Sequence, residues 1–146
     1  MDEQSTILLV EDNTDDVELV LHAFGKAAIT NPVAVVDDGD KAIDYIQGMN
    51  GYADRRLFPV PGLILLDLKL PRRSGFEVLA VVRATEVVHR VPVIVLTSSD
   101  QEDDIRRAYD AGANSYLVKP PGRDARVAMA HSLKDFWLKL NVSLTP

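Results

Sequence analysis

The sequence predicts an α/β fold in which a five-stranded parallel sheet carries five helices on its two faces. Three observations point there. Short aliphatic runs recur along the 146 residues, at 6–10, 33–36, 63–67, 93–97 and 115–118. Runs of that length suit strands buried on both faces. Between them lie stretches whose apolar residues recur at helical spacing. Strict strand–helix alternation then implies parallel pairing and right-handed crossovers, because a parallel neighbour is reached only by crossing back over the sheet.

In order, Thr6–Val10 form the first strand and end on Glu11 and Asp12. Asn13 or Thr14 caps the next helix, with Asp15 and Asp16 in its first turn, where carboxylates meet the positive dipole end. Val17, Val20, Leu21 and Phe24 mark its inner face, and Gly25 to Ile29 close it. Val33–Val36 follow Pro32 as the second strand. Asp37, Asp38 and Gly39 turn the chain into a second helix carrying Ala42, Ile43 and Ile46, to about Gly48. Residues 48–62 hold three glycines and two prolines. They are long for a connection and predict a surface loop able to serve in contacts.

Leu63–Asp67 form the third strand. Gly75 precedes a third helix with Phe76, Val78, Leu79 and Val82. Pro92 opens the fourth strand, Val93–Leu96, which ends at Thr97. Ser98, Ser99 and Asp100 supply a cap, and Glu102 and Asp103 fall in the following helical turn. Ile105, Ala108 and Tyr109 are expected to face inward, and Gly112 ends that helix. Ser115–Val118 form the fifth strand, ending at Lys119-Pro120. A last helix is expected from about Asp124 to Leu140.

Composition narrows function. The net charge of −6 disfavours general attraction to nucleic acid or anionic membrane, and the arginine pairs at 55–56, 72–73 and 106–107 are scattered. There is no cysteine, which removes thiol and zinc–thiolate chemistry. The polar start MDEQST is not a secretory signal, and no apolar run reaches the ~20 residues a membrane span needs. The expected location is cytoplasmic. His22, His89 and His131 have no ligand spacing.

The chemistry collects at strand ends: Glu11 and Asp12, Asp67, Thr97 and Lys119. In a parallel sheet these ends share one edge, where ligands of open α/β sheets sit. Three converging carboxylates repel unless a cation is present, and an oxygen-only donor set suits Mg²⁺. Lys119 offers a point charge and Thr97 a hydroxyl for phosphoryl oxygens. No Gly-rich loop offers a nucleotide cradle. The parts suit in-line phosphoryl transfer onto Asp67 as nucleophile, which would leave an acyl phosphate.

These pieces resemble the receiver domain of two-component response regulators over roughly residues 5–140. The matching segments are Val10-Glu11-Asp12-Asn13, Leu66-Asp67-Leu68-Lys69-Leu70-Pro71 with Ser74-Gly75, Leu96-Thr97-Ser98 and Tyr116-Leu117-Val118-Lys119-Pro120. The resemblance implies a flavodoxin-like (CheY-like) strand order, 2-1-3-4-5. It implies that Asp67 accepts a phosphoryl group from the phosphohistidine of a sensor histidine kinase. Mg²⁺ would be held by Glu11, Asp12, Asp67 and the main-chain carbonyl of Lys69. Thr97 and Tyr116 would form the coupled switch pair, and Lys119–Pro120 would match a cis peptide. Residues 1–146 would be one such domain, with a core at about 5–140, an insertion at about 48–62 and a tail at 141–146.

The insertion, the LPRRSGFEVL segment and Phe136-Trp137 resemble stand-alone regulators paired with phytochrome-type kinases. Those proteins can dimerise through the last helix and its neighbours. Pro121-Gly122 after Pro120 departs from the family's usual single proline. On the last helix, Val127, Ala130, Leu133, Trp137 and Leu140 can line the core. Met129, Phe136, Leu138, Val142 and Leu144 are surplus, and such a patch predicts either a loosely packed tail or a symmetric homodimer.

Three functions fit the residues differently. A phosphorylation-controlled switch uses every strand-end group. With only a short tail after the last helix, its expected output is protein contact or phosphate relay, and its only catalysis is its own phosphorylation and slow hydrolysis, tuned by Lys69 and Ser99. A pseudo-receiver binding module would lack the acceptor or the lysine, and both stand here. A haloacid-dehalogenase-like phosphatase usually carries a second Asp where this chain has Lys69.

Overall fold

The strands are β1 (Ile7–Val10), β2 (Val33–Val36), β3 (Leu63–Leu66), β4 (Val93–Thr97) and β5 (Ser115–Val118). The computed structural model describes residues 1–144, and its strands pair in the order β2-β1-β3-β4-β5, all parallel. The helices are α1 (Thr14–Lys26), α2 (Gly39–Gln47), α3 (Gly75–Ala84), α4 (Glu102–Asp110) and α5 (Arg123–Leu133). The fold class, strand order and element sequence expected from the chain are those observed. Residues 145–146, the end of the expected tail, lie outside the described residues.

Strand alternation divides the core in two. Leu8, Val10, Ile64, Leu66 and Val93 point to the face covered by α2 and α3. Ile7, Leu9, Leu63, Leu65, Ile94 and Leu96 point to the face covered by α1 and α5. A third, smaller cluster joins Leu68 and Val95 to Ala108 of α4. The central strands are fully buried, which is why they read as unbroken aliphatic runs rather than alternating ones.

Register places the functional edge. Val10 pairs with both Val36 and Leu66, and Leu66 with Val95, so β1 and β3 end level. Backbone bonds carry the ladder one residue further: Glu11 N–H donates to Val36 O (3.0 Å) and Asp67 N–H to Val10 O (3.0 Å). Lys119 N–H donates to Thr97 O (2.7 Å). The side chains at the strand ends therefore start from fixed backbone. Gly75 is needed where α3 begins, because a Cβ there would stand 2.3 Å from Asp67 O. Ser74 and Glu77 complete a capping box at that helix start.

Residues 48–62 form no regular element, as expected, but they are pinned down. The Arg55 guanidinium donates to the carbonyls of Tyr45 (2.8 Å) and Ile46 (3.0 Å), closing the end of α2. Tyr45 donates to Pro59 O (2.8 Å), and its ring packs with those of Tyr52 and Phe58.

Four local expectations need correction. The α4 cap is Gln101, without a side-chain bond; Ser99 Oγ lies before it, donating to Asp104 (2.6 Å) and accepting the Gln101 N–H (3.3 Å). Tyr109 lies on the exposed face of α4, leaving Ala108 as its buried residue. Among the described residues no peptide bond is cis, Lys119–Pro120 included. The last helix continues to Leu140 but changes to π geometry over Lys134–Leu140. One π turn takes an extra residue, so Leu138 joins Leu133 on the core face, while Trp137 packs half-buried beside it as expected. Leu138 is buried and Leu140 is 72% exposed, the reverse of the expectation from α spacing.

Candidate functional site

At the carboxyl edge of the sheet, Glu11, Asp12 and Asp67 bring one carboxylate oxygen each within 4.8 Å of one another. Glu11 and Asp67 are buried, and Asp12 is exposed at the mouth. The Lys119 ammonium sits among them. It pairs with Glu11, with Asp16 Oδ2 at 2.8 Å and with Asp67 Oδ2 at 2.9 Å. Asp67 Oδ1 accepts the Lys69 N–H (3.2 Å), and Glu11 Oε2 accepts the Asn13 N–H (3.2 Å).

Burial sets the electrostatics. It pushes the Glu11 carboxyl up to about 7, with Asp67 adding to the rise and Lys119 opposing it. Burial opposes the charge of Lys119, but bonds to Asp16, Glu11 and Asp67 outweigh it and raise that pKa. Burial likewise opposes the charge of Asp16, and its bonds to Lys119 and Arg126 outweigh that and lower it.

Thr97 is fully buried, and its Oγ1 has no hydrogen-bond partner. A hydroxyl without a partner in a buried site is costly and signals a missing polar neighbour. Tyr116 packs its ring by Leu68, Val95 and Ala108 and donates its OH to Ser99 O (2.9 Å). Burial raises its pKa, the Ser99 bond opposing.

The expected residues Glu11, Asp12, Asp67 and Lys119 are thus brought together. Thr97 lies on the same edge, while Tyr116 bonds to the loop after Thr97 rather than to the acidic cluster. Lys69 enters through its N–H on Asp67. Two participants were not foreseen. Asp16 joins Lys119 from the first turn of α1, and Arg126 Nη2 holds the other Asp16 oxygen at 2.9 Å. The available signal was Arg126 itself, a cation in the first turns of a helix, where the dipole disfavours one.

A family model, response regulator receiver domain, matches residues 7–131. The chain belongs to the receiver family. It is 39% identical to the probable methanogenesis regulatory protein FilR2 of Methanothrix harundinacea, covering 96% of this chain and 88% of that protein. It is 37% identical to response regulator Rcp1 of Synechocystis, covering 91% and 88%. The crystal structure of the phosphorylated cyanobacterial phytochrome response regulator RcpA superposes with a TM-score of 0.90 at 34% identity, covering 97% of this chain and 99% of that one. The Mn²⁺-bound form of Rcp1 superposes with a TM-score of 0.86 at 35% identity, with the same coverage.

Receiver domains are signalling proteins of two-component systems that bind a divalent metal in an acidic pocket. The pocket of this receiver fits that description on its own chemistry. Its donors are all oxygen, they converge, and the burial that raises Glu11 is the penalty a cation would relieve. Among the described residues no helix is long and apolar enough to cross a membrane.

Proposed function

We propose that this receiver accepts a phosphoryl group on Asp67 from a sensor histidine kinase, in the presence of Mg²⁺, and signals through the surface around Tyr116 and the last helix. The observation that carries the proposal is the coincidence at Asp67. A buried carboxylate is held by one lysine, ringed by two further acids, and neighboured by a buried threonine hydroxyl without a partner. A general base needs no such surroundings. A carboxylate that must carry added negative charge does.

Asp67 attacks phosphorus with one carboxylate oxygen. The N–P bond of the donor breaks as the O–P bond forms, and the leaving imidazole nitrogen keeps the electron pair and takes a proton from solvent. Glu11, Asp12, Asp67 and the Lys69 carbonyl would hold Mg²⁺, which when bound would supply charge neutralisation. Lys119 shifts from the carboxylate to a phosphoryl oxygen, and Thr97 Oγ1 gains the acceptor it lacks. Tyr116 reads that movement through Ser99. The same residues support slow self-hydrolysis, with Lys69 and Ser99 beside the water path, so turnover is confined to the protein's own phosphate.

The relatives support a phytochrome-type kinase as the donor. RcpA is a cyanobacterial phytochrome response regulator, and its resemblance to this chain runs nearly end to end. Phe136 (50% exposed), Leu140 and Val142 leave apolar surface on and beyond the last helix. That surface supports a homodimer formed there, and the acidic net charge supports a cytoplasmic protein without nucleic-acid output.

Incubation with Mg²⁺ and phosphoramidate, followed by intact mass, tests the proposal. One phosphoryl group gained by the wild type, and none by Asp67→Asn or without Mg²⁺, is expected. No uptake under conditions that label another receiver would move the assignment to a binding module.

A further inference from the structure

We infer that Arg126 is a positioning residue for the phosphorylation step, acting through Asp16 on Lys119. The inference rests on the reading of Asp67 as acceptor.

Arg126 is 5% exposed and sits in the first turns of α5. Its Nε donates to Pro120 O (2.8 Å), the carbonyl just after Lys119, and its Nη2 donates to Asp16 Oδ1 (2.9 Å). Its remaining terminal nitrogen, Nη1, is buried without a partner. Val127 and Ala130 of the same helix belong to the apolar seam between α1 and α5. A leucine could join that seam. Buried ion pairs are weak devices for stability and are often matched or bettered by apolar residues of similar volume. The helix dipole also disfavours a cation at this end. Stability alone therefore gives a poor account of an arginine here.

Its contacts give a better one. Asp16 has two oxygens, one on Arg126 and one on Lys119. Lys119 is held by Glu11 and stands nearly equidistant from Asp16 (2.8 Å) and Asp67 (2.9 Å). Asp16 is thus a competitor for the ammonium that the incoming phosphoryl group needs. Arg126 Nη2 occupies one Asp16 oxygen, divides its charge and fixes its direction, so Lys119 stays shared with Asp67. Without Arg126, Asp16 would turn its whole charge on Lys119 and draw it toward α1. The bond to Pro120 O fixes the backbone beside Lys119 in the same grip.

Loading rates with Mg²⁺ and phosphoramidate, read by intact mass, test this once circular dichroism has confirmed each fold. Arg126→Leu is expected to load at least roughly tenfold more slowly than wild type, the scale of loss when a residue that orients a site group is removed. Asp16→Asn should load at least as fast as wild type. The double variant Asp16→Asn/Arg126→Leu should return to within about twofold of Asp16→Asn, since Arg126 then has nothing to act through. Arg126→Lys keeps the charge but not the fork and should recover only part of the rate. Wild-type loading in Arg126→Leu overturns the inference, as does a double variant as slow as Arg126→Leu, or full recovery in Arg126→Lys. If Arg126→Leu does not fold, slower loading in Asp16→Asn overturns it. No uptake by wild type removes the acceptor reading and this inference together, whereas uptake by wild type with an unchanged Arg126→Leu removes this one alone.

Discussion

Burial and the neighbouring Asp67 push the Glu11 carboxyl up to about 7, so near neutrality a proton and a divalent cation compete for it. Below that pH the cation must displace the proton. Apparent Mg²⁺ affinity should therefore rise with pH, by up to about tenfold per unit, and level off above about 8. Calorimetric Mg²⁺ titrations between pH 6 and 8 check this, and a flat profile would contradict it. The folded pKa of Glu11 lies above its ordinary 4.5. Its contribution to stability is therefore complete below about 4.5 and is lost as pH rises through about 7, by at most roughly 3 kcal/mol. Saturating Mg²⁺ should restore that loss, which urea melts at pH 5 and 7.5 would show. Glu11, Asp12, Asp67, Thr97 and Lys119 were legible because each ends a strand, and a parallel sheet gathers strand ends. Asp16 was not, since an acidic first turn is what any helix favours. Its pairing with Lys119 joins residues 103 apart in the chain.

The last helix shows where periodicity misleads. Leu133, Trp137 and Leu140 fit α spacing, whereas the π segment Lys134–Leu140 turns Leu138 to the core. A local change of helical pitch leaves no mark in residue type. Leu138→Ala should cost about 2–4 kcal/mol in urea unfolding, the range for deleting a buried leucine. Leu140→Ala should stay within about 0.5 kcal/mol, as exposed substitutions do. A larger cost for Leu140→Ala than for Leu138→Ala would argue for plain α geometry. At the start of α3 only Gly75 stood out in the sequence, and the capping box that Ser74 and Glu77 form around it came from the structure. Ser74→Ala should cost about 1 kcal/mol by the same measurement. That cap holds the helix against the Asp67 backbone, where Gly75 permits a contact that a side chain would block.

Across the whole molecule, strand–helix alternation prescribes a parallel sheet but not its order; the order 2-1-3-4-5 came from the family motifs. Alternation also says nothing of how Arg55 ties residues 48–62 to the end of α2, because that anchor depends on where a long side chain finds free carbonyls. The exposed Phe136, Leu140 and Val142 make self-association the molecule-scale expectation. Sedimentation should find a dimer at concentrations on the order of micromolar, weakened by Phe136→Asp. Only monomer, with and without beryllofluoride, would refute it. The account as a whole turns on one bond, the acyl phosphate at Asp67. Borohydride cleaves such a mixed anhydride and reduces the acyl carbon to an alcohol, leaving a covalent mark that mass spectrometry can map. After loading with Mg²⁺ and phosphoramidate, the reduced side chain is expected at residue 67 and nowhere else. Phosphate uptake with the mark at another carboxylate, or with no reducible acyl phosphate at all, would contradict the account.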